Sequence, residues 1–113
     1  MIDIQFRREG SKIMSVEMSG HAEAGPYGND IVCAAVSALS IGTVNSLSEI
    51  AEIPVDVVSA NDSGGYLKFT LPAELTQKQM ETGQILMRSL YLSLRSTEEE
   101  YQEYLRINSL DGK

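Results

Sequence analysis

Apolar and polar residues alternate strictly at the start of the chain. Ile2, Ile4 and Phe6 fall on one side, Asp3, Gln5 and Arg7 on the other. A period of two predicts a half-buried strand from Met1 to Arg8. Glu9-Gly10-Ser11 is turn chemistry, and Lys12 to Ser19 alternates again with Met14, Val16 and Met18 inward, so the two runs predict a hairpin. Gly20 to Asn29 reads as a loop. From Asp30 to Ala51 the period lengthens to that of a helix, its stripe passing through Val32, Ala35, Val36, Leu39, Thr43, Leu47 and Ile50. Pro54 marks the next element, a short valine-rich strand from Val55 to Ala60. Asn61-Asp62-Ser63-Gly64-Gly65 then turns the chain, and Tyr66 to Leu71 alternates with Leu67, Phe69 and Leu71 on one face. Beyond Pro72 a stripe through Met80, Gly83, Met87, Leu90, Leu94, Tyr101, Tyr104 and Leu105 predicts one long helix from about Glu74 to Ile107. A polar tail from Asn108 to Lys113 is expected to fray.

The predicted order is β-β-α-β-β-α. It implies an α+β fold of one domain over residues 1–113, with a mostly antiparallel four-stranded sheet and two helices packed on one side. Met14, Met18, Met80 and Met87 lie on core stripes and are expected to fill space there. Glu98-Glu99-Glu100 reads as a solvated helix face, and Glu103 with Arg106 as a helical i,i+3 pair.

Length and composition narrow the class. A chain of 113 residues buries roughly two-thirds of its unfolded surface and needs neither disulfide nor metal to fold. No apolar run reaches the roughly 20 residues of a membrane span, and Met1-Ile2-Asp3-Ile4 does not open a signal peptide. The single cysteine excludes an internal disulfide and a CxxC redox motif, and fits a reducing cytoplasm. Nine Lys and Arg against 16 Asp and Glu give a net charge of −7, which argues against direct nucleic-acid binding and suits a basic partner.

The candidate chemistry is concentrated between Gly20 and Ser37. The only histidine, in Gly20-His21-Ala22, and the only cysteine, in Asp30-Ile31-Val32-Cys33-Ala34-Ala35-Val36-Ser37, are twelve residues apart. A thiol attacks as thiolate, which a helix N-terminus and a neighbouring imidazole both favour. With Asp30 as N-cap, Cys33 falls in the first turn, and Ser37 follows one turn later on the same face. Gly20, Ala22, Gly25, Tyr27 and Gly28 belong to a flexible connection able to fold back over the sulfur. The plainer readings are a buried structural cysteine, a surface histidine and a capping aspartate. Zinc is disfavoured, since His21 and Cys33 supply only two ligands.

Gly20-His21-Ala22 followed by Tyr27-Gly28-Asn29-Asp30-Ile31-Val32-Cys33-Ala34-Ala35-Val36-Ser37 resembles the signature of the ribosomal-processing cysteine proteases called Prp. The resemblance implies an endopeptidase without cofactor or metal. Its substrate would be the short, basic, aromatic-containing N-terminal extension of the large-subunit ribosomal protein whose arm reaches the peptidyl-transferase centre. It implies Cys33 and His21 as the catalytic pair, Asp30 and Ser37 as supporting residues, a homodimer, and a loop that closes on the peptide. Whether Asp30 completes a triad stays open. So do two other readings: a non-catalytic module holding a basic ribosomal protein, and a thiol-dependent enzyme acting on a small molecule.

Overall fold

The computed structural model describes residues 1–20, 27–60 and 65–111, without the side chains of 27–30 and 111. The elements follow the order β1 (Ile2–Glu9), β2 (Lys12–Ser19), α1 (Tyr27–Glu49), β3 (Asp56–Ala60), β4 (Tyr66–Thr70), α2 (Gln77–Glu100) and β5 (Leu105–Asp111). They build a five-stranded sheet in the order β3-β4-β2-β1-β5. The first four strands pair antiparallel, as the alternation predicts, but β5 lies parallel to β1, with Ile2 opposite Leu105.

The mixed fifth strand corrects the expected four-stranded sheet and the helix drawn to Ile107. Tyr101 and Tyr104 continue the apolar spacing of α2, and no Gly or Pro interrupts it, so the sequence suggests more helix. The end of α2 instead gathers Glu98, Glu99 and Glu100 with no basic residue in the last turn. Three carboxylates at the negative pole of the helix dipole oppose its extension. The Tyr101 amide closes on the carbonyls of Thr97 and Glu98, and the chain then enters β5, where Leu105 is buried and Ile107 half-buried. Glu98 is not only a solvated residue: its Oε2 accepts from the Ile107 amide at 2.9 Å. Arg106 meets Asp3 across the sheet at 3.0 Å, not Glu103, and Asn108 to Asp111 are strand, not a frayed tail.

One face of the sheet carries the core. Ile4 and Met18, Phe6 and Val16, and Val16 and Phe69 are direct cross-strand partners. Phe6, Val16 and Phe69 have no solvent exposure. A bulge between Arg7 and Arg8 leaves Met14 without an opposite residue, so Ile13 and Met14 are both buried where strict alternation admits only Met14. The α2 stripe is as expected, with Gly83, Met87, Leu90 and Leu94 buried. Its start is Thr76, in a reciprocal capping box with Gln79. The α1 stripe holds at Val32, Val36 and Leu47, but Ile50 lies past the helix and is 65% exposed. By length and mean hydropathy Ile31–Glu49 passes for a membrane span, contrary to expectation; here Val32, Val36, Ser40 and Leu47 turn into the core.

The helices meet closely because Gly83 has no side chain: a Cβ there would stand 2.8 Å from Ile53 Cδ1. Ile53 follows the end of α1, where Glu52 takes a left-handed φ of 56° and the Ile53 amide reaches back to the Leu47 carbonyl at 3.0 Å.

Gln84 ties α2 to the bulged strand. Its carboxamide accepts from the Ile13 amide at 2.7 Å and donates to the Ile13 carbonyl at 2.9 Å. Gln84→Leu leaves both backbone groups unpaired in a partly buried setting and is expected to cost about 1–3 kcal/mol. Urea unfolding checks this: the midpoint falls, with an unchanged slope.

Candidate active site

The sheet covers α1 and α2 on one face only, and α1 packs chiefly on α2. Between α1 and the β3, β4 and β2 strands lies an open cleft of about 570 Å³. Cys33 and Ser37 line it, one helical turn apart as predicted. Ile41 and Val44 continue the same line of α1 into the cleft. Cys33 is half-buried: its body touches the core cluster while the residue opens to the cleft. A fully buried cysteine is therefore not what the structure shows.

The start of α1 differs from expectation. The helix begins at Tyr27, so Tyr27 and Gly28 stand in its first turn and not in the loop. Asp30 is the fourth helical residue and not the N-cap, and Cys33 is the seventh. Its amide thus falls among those bonded within the helix, and the free first-turn amides lie up to about 9 Å along the axis. Since the dipole effect fades beyond the first turn, the helix end contributes little at the sulfur. The sequence misleads here because Asp is a favoured N-cap and Gly28 a usual breaker, yet Gly28 is accommodated within the helix.

His21, Ala22 and Gly25 lie outside the described residues, as does the side chain of Asp30. What is described is how the chain leaves β2 towards His21. Gly20 has φ of 91°, and its amide donates to the Gly65 carbonyl at 3.1 Å. A Cβ on Gly20 would stand 2.5 Å from the Met1 carbonyl oxygen. Only glycine fits, on both conformation and space. Gly20 also lines the cleft with Cys33, so the residue before His21 is fixed at the same opening as the sulfur.

The sheet supplies a wall that the sequence did not identify: Ile2 and Met18, then Tyr66 and Leu67 from β4, and Val57 and Ser59 from β3. The i+4, i+8, i+11 spacing of Ser37, Ile41 and Val44 from Cys33 carries the signal for the helical wall. The strand residues become neighbours only through the β1–β2, β2–β4 and β3–β4 pairings. Tyr66 is anchored by its hydroxyl, which donates to Glu17 Oε2 at 2.6 Å. That bond to a carboxylate holds the Tyr66 hydroxyl above its ordinary pKa. Among the described residues no cluster of three metal-ligating side chains occurs.

The family model for cysteine protease Prp matches residues 1–106. The chain is 34% identical to the ribosomal processing cysteine protease Prp of Bacillus subtilis over 110 residues, 96% of this chain and 97% of the relative. It is 35% identical over 107 residues to the protein of the same name in Staphylococcus aureus, covering 95% of each. Its fold superimposes with a TM-score of 0.89 on the crystal structure of SMU.848 from Streptococcus mutans, at 37% identity over 99% of this chain and 96% of that one. A TM-score of 0.81 relates it to S. aureus Prp crystallised with a covalently linked product peptide, at 30% identity over 96% and 99% of the two chains. Another structure of S. aureus Prp, in complex with a substrate peptide, gives the same TM-score at 31% identity. With a half-buried cysteine on the wall of an open cleft and relatives matched along nearly their whole length, the chain belongs to the Prp family of ribosomal processing cysteine proteases.

Proposed function

We propose that Cys33 and His21 carry the peptidase reaction, and that the substrate is the basic N-terminal extension of a large-subunit ribosomal protein precursor. The observation that carries this is Cys33 standing in an open cleft of about 570 Å³, beside the fixed start of the His21 segment. In the reaction Cys33 Sγ bonds to the scissile carbonyl carbon as its proton passes to His21. Collapse of the tetrahedral intermediate breaks the C–N bond, and His21 returns the proton to the leaving amine. Water then attacks the thioester, His21 takes its proton, and the thiol is restored as the acid product leaves. The covalently linked product peptide in the S. aureus relative supports a covalent route.

Supporting roles follow from position. The Ser37 hydroxyl, exposed in the cleft one turn beyond Cys33, contacts the substrate carbonyl. Asp30, one turn before Cys33, orients His21. The net charge of −7 draws a basic tail. A reducing cytoplasm keeps the thiol free.

The working unit is a homodimer. The surface arc of α1 through Ile31, Ala34, Ala38, Gly42 and Asn45 is exposed and carries no charge. On a chain this acidic, a neutral helix face with small residues at its centre lets a second copy approach without like-charge repulsion.

Cleavage of a synthetic peptide spanning the extension and the first mature residues, followed by mass spectrometry, tests the proposal. Wild type cuts it. Cys33→Ala and His21→Ala each lose at least about a hundredfold, the usual scale for removing a nucleophile or general base, with folds intact. A peptide held but not cut by wild type would instead mark a binding module, and unimpaired cutting by Cys33→Ala would place the nucleophile elsewhere. Gly20→Ala forces a side chain into a left-handed conformation against a carbonyl and costs on the order of 1–3 kcal/mol; thermal unfolding checks the loss, with cleavage falling too as His21 is displaced. In sedimentation the wild type runs as a dimer and Ala38→Glu as a monomer; a monomeric wild type would contradict the α1 interface.

A further inference from the structure

The two edges of the sheet are treated differently. On β5 the Ile107 amide is taken by Glu98 at 2.9 Å, Arg106 is tied to Asp3 at 3.0 Å, and Ser109 accepts from Arg8 at 2.7 Å. On β3, all five residues are exposed, with Val57 at 44% and Val58 at 52%. Its sequence, Asp56-Val57-Val58-Ser59-Ala60, contains no Lys, Arg or Pro, and its pairing with β4 has no bulge. Proteins seldom leave a regular apolar edge unguarded, because its free amides and carbonyls recruit another strand.

The register shows which groups are free. Gly20 donates to Gly65, and Leu71 to Met14, so Gly65, Leu67, Phe69 and Leu71 turn their backbone groups towards β2. Tyr66, Lys68 and Thr70 therefore turn towards β3, where they face Ala60, Val58 and Asp56. Val57 and Ser59, between these partners, direct their amides and carbonyls away from the sheet. Among the described residues neither has a backbone partner on that side. The same two residues line the cleft that holds Cys33.

We infer that β3 is the docking rail of the peptidase: the substrate pairs in extended form with the outer edge of β3 through the backbone of Val57 and Ser59. This rests on the peptidase reading above and names how its substrate is held. The occupant is an extended, basic peptide. The rail is continuous with the cleft of the nucleophile, and Asp56, the one charge on β3, attracts a cation and repels a second acidic copy. Main-chain pairing supplies affinity without regard to sequence. The cleft between β3 and α1, with Leu67, Ile41 and Val44 on its walls, takes alternate side chains and supplies selection.

Proline separates backbone from side chain here. At an outward-facing position of an edge strand it removes only the free amide and leaves the ladder intact. Ser59→Pro is expected to raise KM at least about tenfold, the equivalent of one lost hydrogen bond to a bound peptide at ~1.4 kcal/mol, with kcat and unfolding temperature near wild type. Ser59→Ala, which keeps the amide and removes only the cleft-lining hydroxyl, is expected to raise KM less than Ser59→Pro does. In parallel, N-methylation walked along the substrate peptide with wild-type enzyme should inhibit at alternate residues. This second measurement decides the matter if Ser59→Pro does not fold. A uniform N-methyl profile, an equal loss in Ser59→Ala, or a change of oligomeric state in Ser59→Pro would overturn the rail, the last by showing a second copy on that edge. If the wild type fails to cut any peptide, the peptidase reading itself falls, and the rail with it.

Discussion

The site depends on how α1 is seated. The helix packs chiefly on α2, where Gly83 lets Ile53 come close. Between α1 and the β2, β4 and β3 strands a cleft is left open. Val32, Val36, Ser40 and Leu47 serve the core, with the Ser40 hydroxyl donating to Met18 Sδ at 3.3 Å, while Cys33 and Ser37, rotated from them, serve the cleft. A single helix thus separates a packing face from one that lines the cleft, and a cysteine placed one residue away, at Val32, would be buried.

The sheet completes the arrangement by fixing where the chain enters and leaves. Gly20 ends β2 in a conformation that other residues adopt at a cost, pressed against the Met1 carbonyl and bonded to Gly65. The residue before His21 is therefore anchored on rigid elements, as the role proposed for that imidazole requires. At the far side Gln84 and Glu98 pin β2 and β5 to α2, leaving β3, among the described residues, as the edge without such a tie.

Much of this was legible in the sequence because it is written in periods. Alternation in Ile2-Asp3-Ile4-Gln5-Phe6 and in Leu67-Lys68-Phe69 located strands, and the stripe Gly83, Met87, Leu90, Leu94 located the core face of α2. The fifth strand was not legible, since Tyr101, Tyr104 and Leu105 satisfy a helical period as well, and only the parallel pairing with β1 makes Leu105 and Ile107 strand residues. The start of α1 was missed for a local reason: Asp30 has the chemistry of a cap but lies inside a helix that opens at Tyr27. The wall made by Val57, Ser59 and Tyr66 was beyond reach, because it depends on the β3-β4-β2 order and not on any local pattern.

The earlier start of α1 also shifts the chemical weight. With Cys33 in the second turn, the helix end is a minor influence on the sulfur, and the proposed mechanism rests on the imidazole of His21 to take its proton. The most direct test is the rate at which a small alkylating reagent modifies Cys33 near neutral pH, followed by intact mass, in wild type and in His21→Ala. The account predicts markedly slower modification once the imidazole is gone; equal rates in the two proteins would show that the side chains do not meet and would contradict the catalytic pair.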